Sequence, residues 1–307
     1  MRPDTLTFTS GGVTCEAWHF AAEHDGLTTH AGRPVVVMAH GMAGTKDSGL
    51  APFAEAFAAA GIDVLAFDYR GFGASEGRPR QVVSVRAQVE DYLAALDAAA
   101  HLPRADPARL ALWGVSMAGG HVLEAAALRA DVAAVVAMTP LVDGFAAARH
   151  ALQHHPPSQL LRSTGTGLRS RVSAAVGADP VMIPVVARPG ERGAFTLPGA
   201  LEDYLSIAGP TWRNEVDASV VMELGKARVG RNARQVRCPV LVQIADLDRS
   251  APPQAAAKVA FAARAEVRHY PCDHFDVWPG KDWHRPAVAH AVHFLQRKLA
   301  PAPASTP

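Results

Sequence analysis

The sequence predicts an α/β protein with a doubly wound, mostly parallel eight-stranded sheet, and three observations support this prediction. Short, nearly continuous apolar runs recur along the chain. Ala-rich segments with helical spacing separate them, and two β-rich segments joined by a glycine turn come first. Continuous apolar runs are typical of parallel strands that are buried on both faces. Strand–helix alternation with this period favours right-handed crossovers and a doubly wound sheet.

The elements follow in chain order. Segments 5–9 and 13–20 flank Ser10-Gly11-Gly12, a turn signal that predicts a hairpin at the antiparallel edge of the sheet. The apolar runs that predict parallel strands are residues 34–39, 63–67, 109–115, 132–138, 238–245 and 265–270. The segments that predict helices are residues 47–60, 81–100, 117–130, 253–263 and 283–299.

The alternation stops over residues 141–235, where proline, glycine, arginine and serine are frequent. An irregular stretch of this length inside a compact domain is usually functional or a subdomain of its own. We therefore predict a core of residues 1–140 and 236–299, interrupted by a mostly helical lid over 141–235. Residues 300–307, APAPASTP, are predicted to form a disordered tail.

The composition argues against several classes of protein. The 307 residues include 30 Lys and Arg against 29 Asp and Glu, and 49% are hydrophobic. This balance is unlike that of disordered chains, and nucleic-acid binders usually show a basic excess. No apolar stretch approaches the roughly 18 residues of a membrane span, and the N-terminal residues lack the apolar segment of a signal peptide. We expect a cytoplasmic protein with a small-molecule substrate; whether it forms a homo-oligomer stays open.

Three other patterns in the sequence do not indicate a metal, disulfide or dinucleotide site. Cys15, Cys238 and Cys272 form no CxxC pair, which predicts neither a zinc site nor a disulfide framework and favours a reduced compartment. His154-His155 are adjacent, so their side chains diverge, and no third metal ligand is evident. The glycines of segment 71–77 have the spacing GxGxxxG, which departs from the dinucleotide pattern GxGxxG and indicates a turn instead.

The strongest chemical signal is the segment Gly114-Val115-Ser116-Met117-Ala118, which lies between an apolar run and a helical segment. A strand, a tight turn and a helix are the setting that a nucleophilic serine requires in a nucleophile elbow. Small residues must flank the serine at two positions on either side. Gly114 fits this rule, and Ala118 stands where glycine is usual. The alternative is a serine that only caps the helix.

A second signal, His40-Gly41-Met42-Ala43-Gly44, directly follows the run 34–39. Ester chemistry at a serine needs two N–H donors aimed at the oxyanion of the tetrahedral intermediate. The backbone N–H groups of Met42 and Met117 are the candidates. Gly41 lets the backbone approach closely, and His40 is expected to orient the loop.

The candidate acid and base follow the last two predicted strands. A serine hydroxyl is a weak nucleophile that needs an imidazole to take its proton and a carboxylate to hold that imidazole. The carboxyl ends of parallel strands are where open α/β sheets place their sites. The order Ser116, Asp248, His274 supplies these groups there. Asp246 is an alternative acid, and Cys272 is expected to be a buried, inert thiol.

These segments resemble the α/β-hydrolase superfamily over nearly the whole chain outside the lid and the tail. The matching landmarks, in order, are HGMAG, DYRGFGASEG, GVSMAG, ADLDRSAPP and CDHFDVW. The second is similar to a loop of the esterase, monoglyceride-lipase-like and serine-aminopeptidase-like branches. The family's D-R-x-x-P pattern selects Asp248 over Asp246. Ala118 departs from the family's elbow, and the lid aligns with no named subfamily.

The resemblance implies a serine hydrolase that cleaves carboxylic esters through an acyl-enzyme, with Ser116, His274 and Asp248 as the catalytic triad. It implies neither a metal nor an organic cofactor. A thioesterase, a C–C bond hydrolase or a peptidase would use the same triad. A non-catalytic ligand-binding protein on this fold is an alternative of another class. Such proteins often lack a triad member, whereas all three positions are filled here.

Several residues are candidates for an apolar substrate pocket. Phe145 and Trp212 of the lid and Trp278 near the candidate base would shape it if they face the cleft, beside His40 and Gly41. Residues 141–235 also carry 11 Lys and Arg against 8 Asp and Glu. This excess is compatible with a carboxylate-bearing ester and equally with a solvated surface.

Overall fold

The computed structural model describes residues 2–301 of the chain. The strands are β1 (Asp4–Ser10), β2 (Val13–Phe20), β3 (Arg33–Ala39), β4 (Asp63–Phe67), β5 (Ala105–Val115), β6 (Ala134–Met138), β7 (Met182–Ile183), β8 (Val216–Asp217), β9 (Val240–Ala245) and β10 (Glu266–Tyr270). The helices are α1 (Ala51–Ala59), α2 (Val85–Ala99), α3 (Met117–Leu128), α4 (Gly144–His154), α5 (Pro157–Ala175), α6 (Ala200–Ile207), α7 (Val220–Leu224), α8 (Pro253–Ala262) and α9 (His284–Leu299).

Eight strands form the main sheet in the order β1-β2-β4-β3-β5-β6-β9-β10. Strands β1 and β2 form an antiparallel hairpin, and β2 also pairs with β4 in the antiparallel direction. From β4 to β10 in the order of the sheet, all neighbouring strands are parallel. Helices α1 and α9 pack together, as do α2 and α3. The predicted doubly wound, mostly parallel eight-stranded fold is confirmed.

The central parallel strands end level with one another. Ala39 at the end of β3 pairs with Gly114 of β5, and Val115 pairs with Met138 at the end of β6. Met138 in turn pairs with Gln243 of β9. The segments that follow these strands therefore leave the sheet at the same carboxyl edge, where a site in this fold class is expected.

Two helices begin later than predicted because side chains nearby form turns. Helix α1 starts at residue 51, since Thr45 Oγ1 donates to Asp47 Oδ1 at 2.5 Å and Ser48 N closes a turn on Thr45 O at 2.9 Å. Helix α2 starts at residue 85, because the Ser84 hydroxyl oxygen accepts a hydrogen bond from Ala87 N and so caps the helix.

Residues 141–235, called the insertion below, lie between β6 and β9. They contain α4 to α7, two 3-10 turns and the antiparallel pair β7–β8. That these residues form a mostly helical lid stays a prediction. The pair β7–β8 was not predicted, because two-residue strands are too short to produce a periodic pattern. The predicted tail lies, from residue 302 onward, outside the described residues. No helix within residues 2–301 combines the length and the apolar character that crossing a membrane would need.

The glycine-rich turn after β4 wraps a buried carboxylate. Asp68 Oδ2 accepts hydrogen bonds from Lys46 Nζ at 2.6 Å and from Ala74 N at 3.0 Å. A Cβ at Gly73 would lie 2.2 Å from the same oxygen, so the turn needs glycine there. Lys46 Nζ also contacts Glu16 Oε1 at 2.8 Å, which gives this cation two carboxylate partners. The glycine pattern thus has a structural explanation.

Replacing Lys46 by methionine should destabilise the fold by about 3–5 kcal/mol, because Asp68 would be left as a buried charge without its cation. Both side chains are about 1% exposed. The free energy of unfolding in urea measures the effect. Lys258→Met, at an exposed lysine, is the matched control and should change stability by less than about 0.5 kcal/mol. Equal stability of the two variants would contradict the prediction.

Candidate active site

Ser116 lies in the sharp turn between β5 and α3. Its φ is +57° and its ψ is −121°, a positive-φ conformation that residues other than glycine rarely adopt. The Ser116 side chain makes no capping hydrogen bond to α3, so it does not serve as a simple helix cap. Strained residues of this kind cluster at functional sites, where the surrounding fold holds them in place.

The residues around the turn leave no room for larger side chains. A Cβ at Gly114 would lie 2.3 Å from Ala118 O, and one at Gly120 would lie 2.4 Å from Leu141 O. Both obstacles are backbone atoms, which cannot move aside while the turn is kept. Ala118, in the place where glycine is usual, is completely buried in the first turn of α3, so its methyl group fits.

Asp248 and His274 form a buried pair beyond the ends of β9 and β10. His274 Nδ1 donates to Asp248 Oδ2 at 2.6 Å, and each residue is 3% exposed. Asp248 Oδ1 accepts the N–H groups of Ser250 at 2.7 Å and Ala251 at 2.6 Å. These bonds fix the carboxylate. Because Nδ1 is bonded to Asp248, Nε2 is the ring atom of His274 that can accept a proton from a hydroxyl group.

The surroundings of His274 act on its basicity in opposite directions. Burial alone would lower the pKa of His274, because it disfavours the charged imidazolium. The charge of Asp248 and the hydrogen bond to it outweigh burial and raise the pKa of His274 above its ordinary value of 6.5. Asp248 therefore stabilises the imidazolium that would form when His274 accepts a proton.

Asp246, the alternative acid, and the thiol of Cys272 lie in different surroundings from the Asp248–His274 pair. Asp246 Oδ1 lies 2.6 Å from His269 Nδ1, and these side chains are 43% and 54% exposed. The carboxylate that contacts the imidazole of His274 is thus that of Asp248. Burial raises the pKa of the Cys272 thiol to about 12, so it stays protonated at neutral pH. Among residues 2–301, no cluster of three or more His, Cys, Asp or Glu side chains is arranged to hold a metal ion.

Asp273 joins the two loops that carry the candidate acid and base, a role that the sequence analysis did not predict. Its Oδ1 accepts hydrogen bonds from His274 N at 2.8 Å and from Arg249 N at 2.9 Å. Its Oδ2 accepts from Arg249 Nε at 2.5 Å. Arg249 directly follows Asp248, so Asp273 ties the two loops together. Residues 249 and 273 are 24 positions apart, and only the fold reveals that they meet.

The loop after β3 lies directly against the serine turn. A Cβ at Gly41 would stand 2.9 Å from Ser116 Cβ, so this approach requires glycine. Met42, buried, follows in the same loop. Met117 is the first residue of α3, and its N–H therefore has no acceptor within the helix. The positive end of the helix dipole favours a negative oxygen here.

His40 is buried beneath this loop among aromatic rings. Its ring stacks on Trp278 at a centroid distance of 4.9 Å and lies 5.9 Å from the ring of Tyr204. Burial lowers the pKa of His40 to about 4. His40 is therefore neutral over the pH range in which His274 titrates, and it adds no charge to the site.

The aromatic pocket candidates are divided between two places. Trp278 is 2% exposed, beneath His40, and Trp212 stacks on Tyr204 with centroids 5.0 Å apart. These rings form one cluster next to the loop after β3. Phe145 is 62% exposed on helix α4 and belongs to a different surface.

Tyr204, an aromatic residue of the insertion, makes a contact with the loop after β3 that the sequence did not predict. It lies on α6 of the insertion, is buried, and donates its hydroxyl hydrogen to Met42 O at 2.9 Å. A second link joins the same segments, because Gly209 N donates to Ser48 Oγ at 3.1 Å. The insertion is therefore bonded to the loop that carries one of the candidate oxyanion donors.

The chain is similar to known proteins in sequence and in fold. Residues 30–181 match the family model of the serine aminopeptidases, S33. The quorum-quenching protein AidA of Acinetobacter baumannii (strain MDR-ZJ06) is 36% identical over 298 residues, which cover 96% of this chain and 95% of AidA. The chain belongs to the α/β-hydrolase superfamily. The resemblance drawn from the sequence motifs is confirmed.

Two further relatives of this α/β hydrolase are informative. Thiohydrolase aneE of Aspergillus aculeatus (strain ATCC 16872 / CBS 172.66 / WB 5094) is 33% identical over 160 residues, about half of each chain. The crystal structure of α/β hydrolase GrgF from Penicillium sp. sh18 superposes with a TM-score of 0.79. It is 24% identical, and the match covers 97% of this chain and 99% of GrgF, which shows a shared fold.

Proposed function

We propose that this α/β hydrolase is a serine esterase that cleaves carboxylic esters through an acyl-enzyme. The observation that carries the proposal is the buried 2.6 Å contact between His274 Nδ1 and Asp248 Oδ2. This contact sets the imidazole tautomer that presents Nε2 to a hydroxyl group. The strained turn of Ser116, at the same edge of the sheet, supplies that hydroxyl group.

The reaction follows from these roles. Ser116 Oγ attacks the acyl carbon while its proton passes to His274 Nε2, and Asp248 stabilises the resulting imidazolium. The N–H groups of Met42 and Met117 donate to the oxyanion of the tetrahedral intermediate. His274 then gives its proton to the leaving alcohol. A water molecule, deprotonated by His274, attacks the acyl-enzyme and releases the acid.

A substrate panel tests the reaction class. We expect turnover of p-nitrophenyl esters of graded chain length and of an acyl-homoserine lactone, a cyclic ester. The lactone is included because the relative AidA is a quorum-quenching protein. Aminoacyl amides should react far more slowly, because their amine leaving group is poorer. Rapid amide cleavage without ester turnover would contradict the proposal and favour a peptidase.

Thioester hydrolysis is a second candidate, because a 33% identical relative is named as a thiohydrolase. The same nucleophile, base and oxyanion donors serve both reactions, so the site geometry does not separate them. Matched pairs of an oxygen ester and a thioester with the same acyl group do separate them. The ratio of kcat/KM for the thioester to that for the oxygen ester is compared with the ratio of their rates of hydrolysis by hydroxide. If the enzyme's ratio is larger by more than about tenfold, the protein is a thioesterase.

Tyr204→Phe should lower kcat roughly tenfold and leave KM nearly unchanged. The Tyr204 hydroxyl fixes the carbonyl of Met42, and the next residue, Ala43, is held at a φ of +54°. Without this bond the strained peptide relaxes and the oxyanion donor moves, which costs less than deleting a donor outright (about 10²–10³-fold). Steady-state kinetics on the best ester of the panel measures the change.

A second substitution separates this positioning effect from packing. Glycine adopts positive φ without strain, so Ala43→Gly should restore part of the activity that Tyr204→Phe loses. A rise in KM with unchanged kcat would contradict the positioning role and point to substrate contact. Absence of any recovery in the double variant would equally reject strain as the cause.

A further inference from the structure

A second concave site lies between helix α4 of the insertion and helix α8 of the core. It is a cleft of about 530 Å³, within the size range of small-molecule sites. Four cationic side chains from three parts of the chain line it: Arg149 of α4, Arg228 and Arg231 near the end of the insertion, and Lys258 of α8. Arg149, Arg228 and Arg231 belong to the insertion, so part of its excess of Lys and Arg over Asp and Glu lies at this cleft.

None of the carboxylates within the described residues pairs with these four cations. Among residues 2–301, no Asp or Glu oxygen lies within 4.0 Å of the charged nitrogens of Arg149, Arg228, Arg231 or Lys258. By contrast, Arg249, close by in sequence to α8, is paired with Asp273. The four side chains are exposed to solvent. A cleft lined by one sign of charge focuses its field, and a bound anion lowers the mutual repulsion of the cations further than water and salt do.

The one carboxylate among the described residues that line the cleft is already engaged. Asp143 Oδ1 accepts hydrogen bonds from Phe145 N and Ala146 N, both at 2.9 Å, and so caps α4. Its position at the start of the helix is fixed by those bonds. Asp143 offsets at most one of the four positive charges, so the cleft keeps a net positive charge.

An exposed aromatic ring stands at the same cleft. The guanidinium of Arg228 lies over the ring of Phe145, 4.6 Å from its centroid, and Phe145 is 62% exposed. This contact holds the Arg228 fork in place. A planar cation that is held in this way suits the oxygens of a phosphate group, which it can bind through two N–H donors.

We infer that this cleft binds a small anion with two or more phosphate groups. Four cations around one cavity match the charge of a diphosphate better than that of a single carboxylate, which would leave most of the cations unmatched. The concave shape and the volume of about 530 Å³ are typical of sites for small molecules. The inference is independent of the proposed esterase activity.

The site adjoins the candidate catalytic acid without being part of it. His150, which lines the cleft, has its Nε2 2.9 Å from the main-chain oxygen of Asp248. Pro252 and Gln254, also at the cleft, continue the same loop into α8. A ligand bound there contacts the outer side of the loop that holds Asp248.

Pyrophosphate is the first probe, measured by calorimetry and by thermal unfolding at a constant ionic strength set with sodium chloride. We expect saturable one-site binding and a Tm rise of about 2–5 °C at saturation. The variant Arg228→Gln/Lys258→Gln should weaken binding at least about tenfold, because two charge-assisted contacts are lost. The matched control, Arg162→Gln/Arg169→Gln on the exposed surface of α5, should bind like the wild type.

Further arms identify the ligand and can overturn the inference. If adenosine diphosphate binds more tightly than pyrophosphate, and Phe145→Ala removes this difference in affinity, the ligand is a diphosphate carried by a nucleotide. If the two bind with equal affinity, the ligand is the free ion. Three results would overturn the phosphate site. They are equal weakening of pyrophosphate binding in both double variants, no effect of pyrophosphate beyond that of sodium chloride, and binding of hexaglutamate as tight as that of pyrophosphate. Ser116→Ala should bind pyrophosphate normally, so failure of the proposed esterase activity leaves this test intact.

Discussion

Ser116→Ala is expected to lower kcat for the best ester by about 10⁴-fold or more, because no other group then forms the acyl-enzyme. Alanine and serine both carry a Cβ, so the backbone strain of the positive φ of +57° is about the same in the two proteins. The variant should consequently fold like the wild type, with a free energy of unfolding within about 0.5 kcal/mol. Steady-state kinetics and urea unfolding on the same preparation measure the two effects.

Covalent labelling isolates the nucleophile from every other cause of lost activity. A fluorophosphonate probe should modify the wild type once per chain and leave Ser116→Ala unmodified. Ser158→Ala, at an exposed serine of α5, is the matched control and should label like the wild type. Equal labelling of Ser116→Ala would remove Ser116 from the mechanism. Failure of the wild type to label or to turn over any ester would favour the non-catalytic binding protein instead.

The parts of the site that sequence predicts are those encoded within a few neighbouring residues. The turn of Ser116 depends on Gly114, which lies two positions away, and its crowding is a local backbone effect. The approach of Gly41 to the serine follows from the pairing of Ala39 with Gly114, once β3 and β5 are adjacent. Apolar runs fix those strands, so the main sheet and the candidate loops were predictable together.

The contacts that the sequence did not predict join residues far apart in the chain. Tyr204 and Met42 are separated by 162 positions, and nothing in the local pattern around Tyr204 distinguishes it from an ordinary core aromatic. Phe145 illustrates the reverse case. Its apolar character suggested a pocket wall, but the structure exposes it beside Arg228. Both the burial of a side chain in the insertion and its partner depend on how the insertion packs, which side-chain type alone does not predict.

Asp248→Asn is expected to lower kcat by about 10⁴-fold, because an amide can stabilise the wrong tautomer of the imidazole and cannot stabilise the imidazolium. The matched control is Asp246→Asn, which changes the other aspartate of the same loop. Asp246 pairs with His269 at the surface, so this variant should keep nearly full activity. A larger loss in Asp246→Asn than in Asp248→Asn would transfer the role of the acid to Asp246.

The pH dependence gives a second, independent test of the Asp248–His274 pair. His274 must be neutral to accept the serine proton, so kcat/KM should fall as pH drops through its pKa, which Asp248 raises above 6.5. In Asp248→Asn the raising charge is gone while burial, which lowers the pKa of His274, remains. The acid limb of the residual activity should therefore move to lower pH. An unmoved limb would show that a group other than His274 titrates.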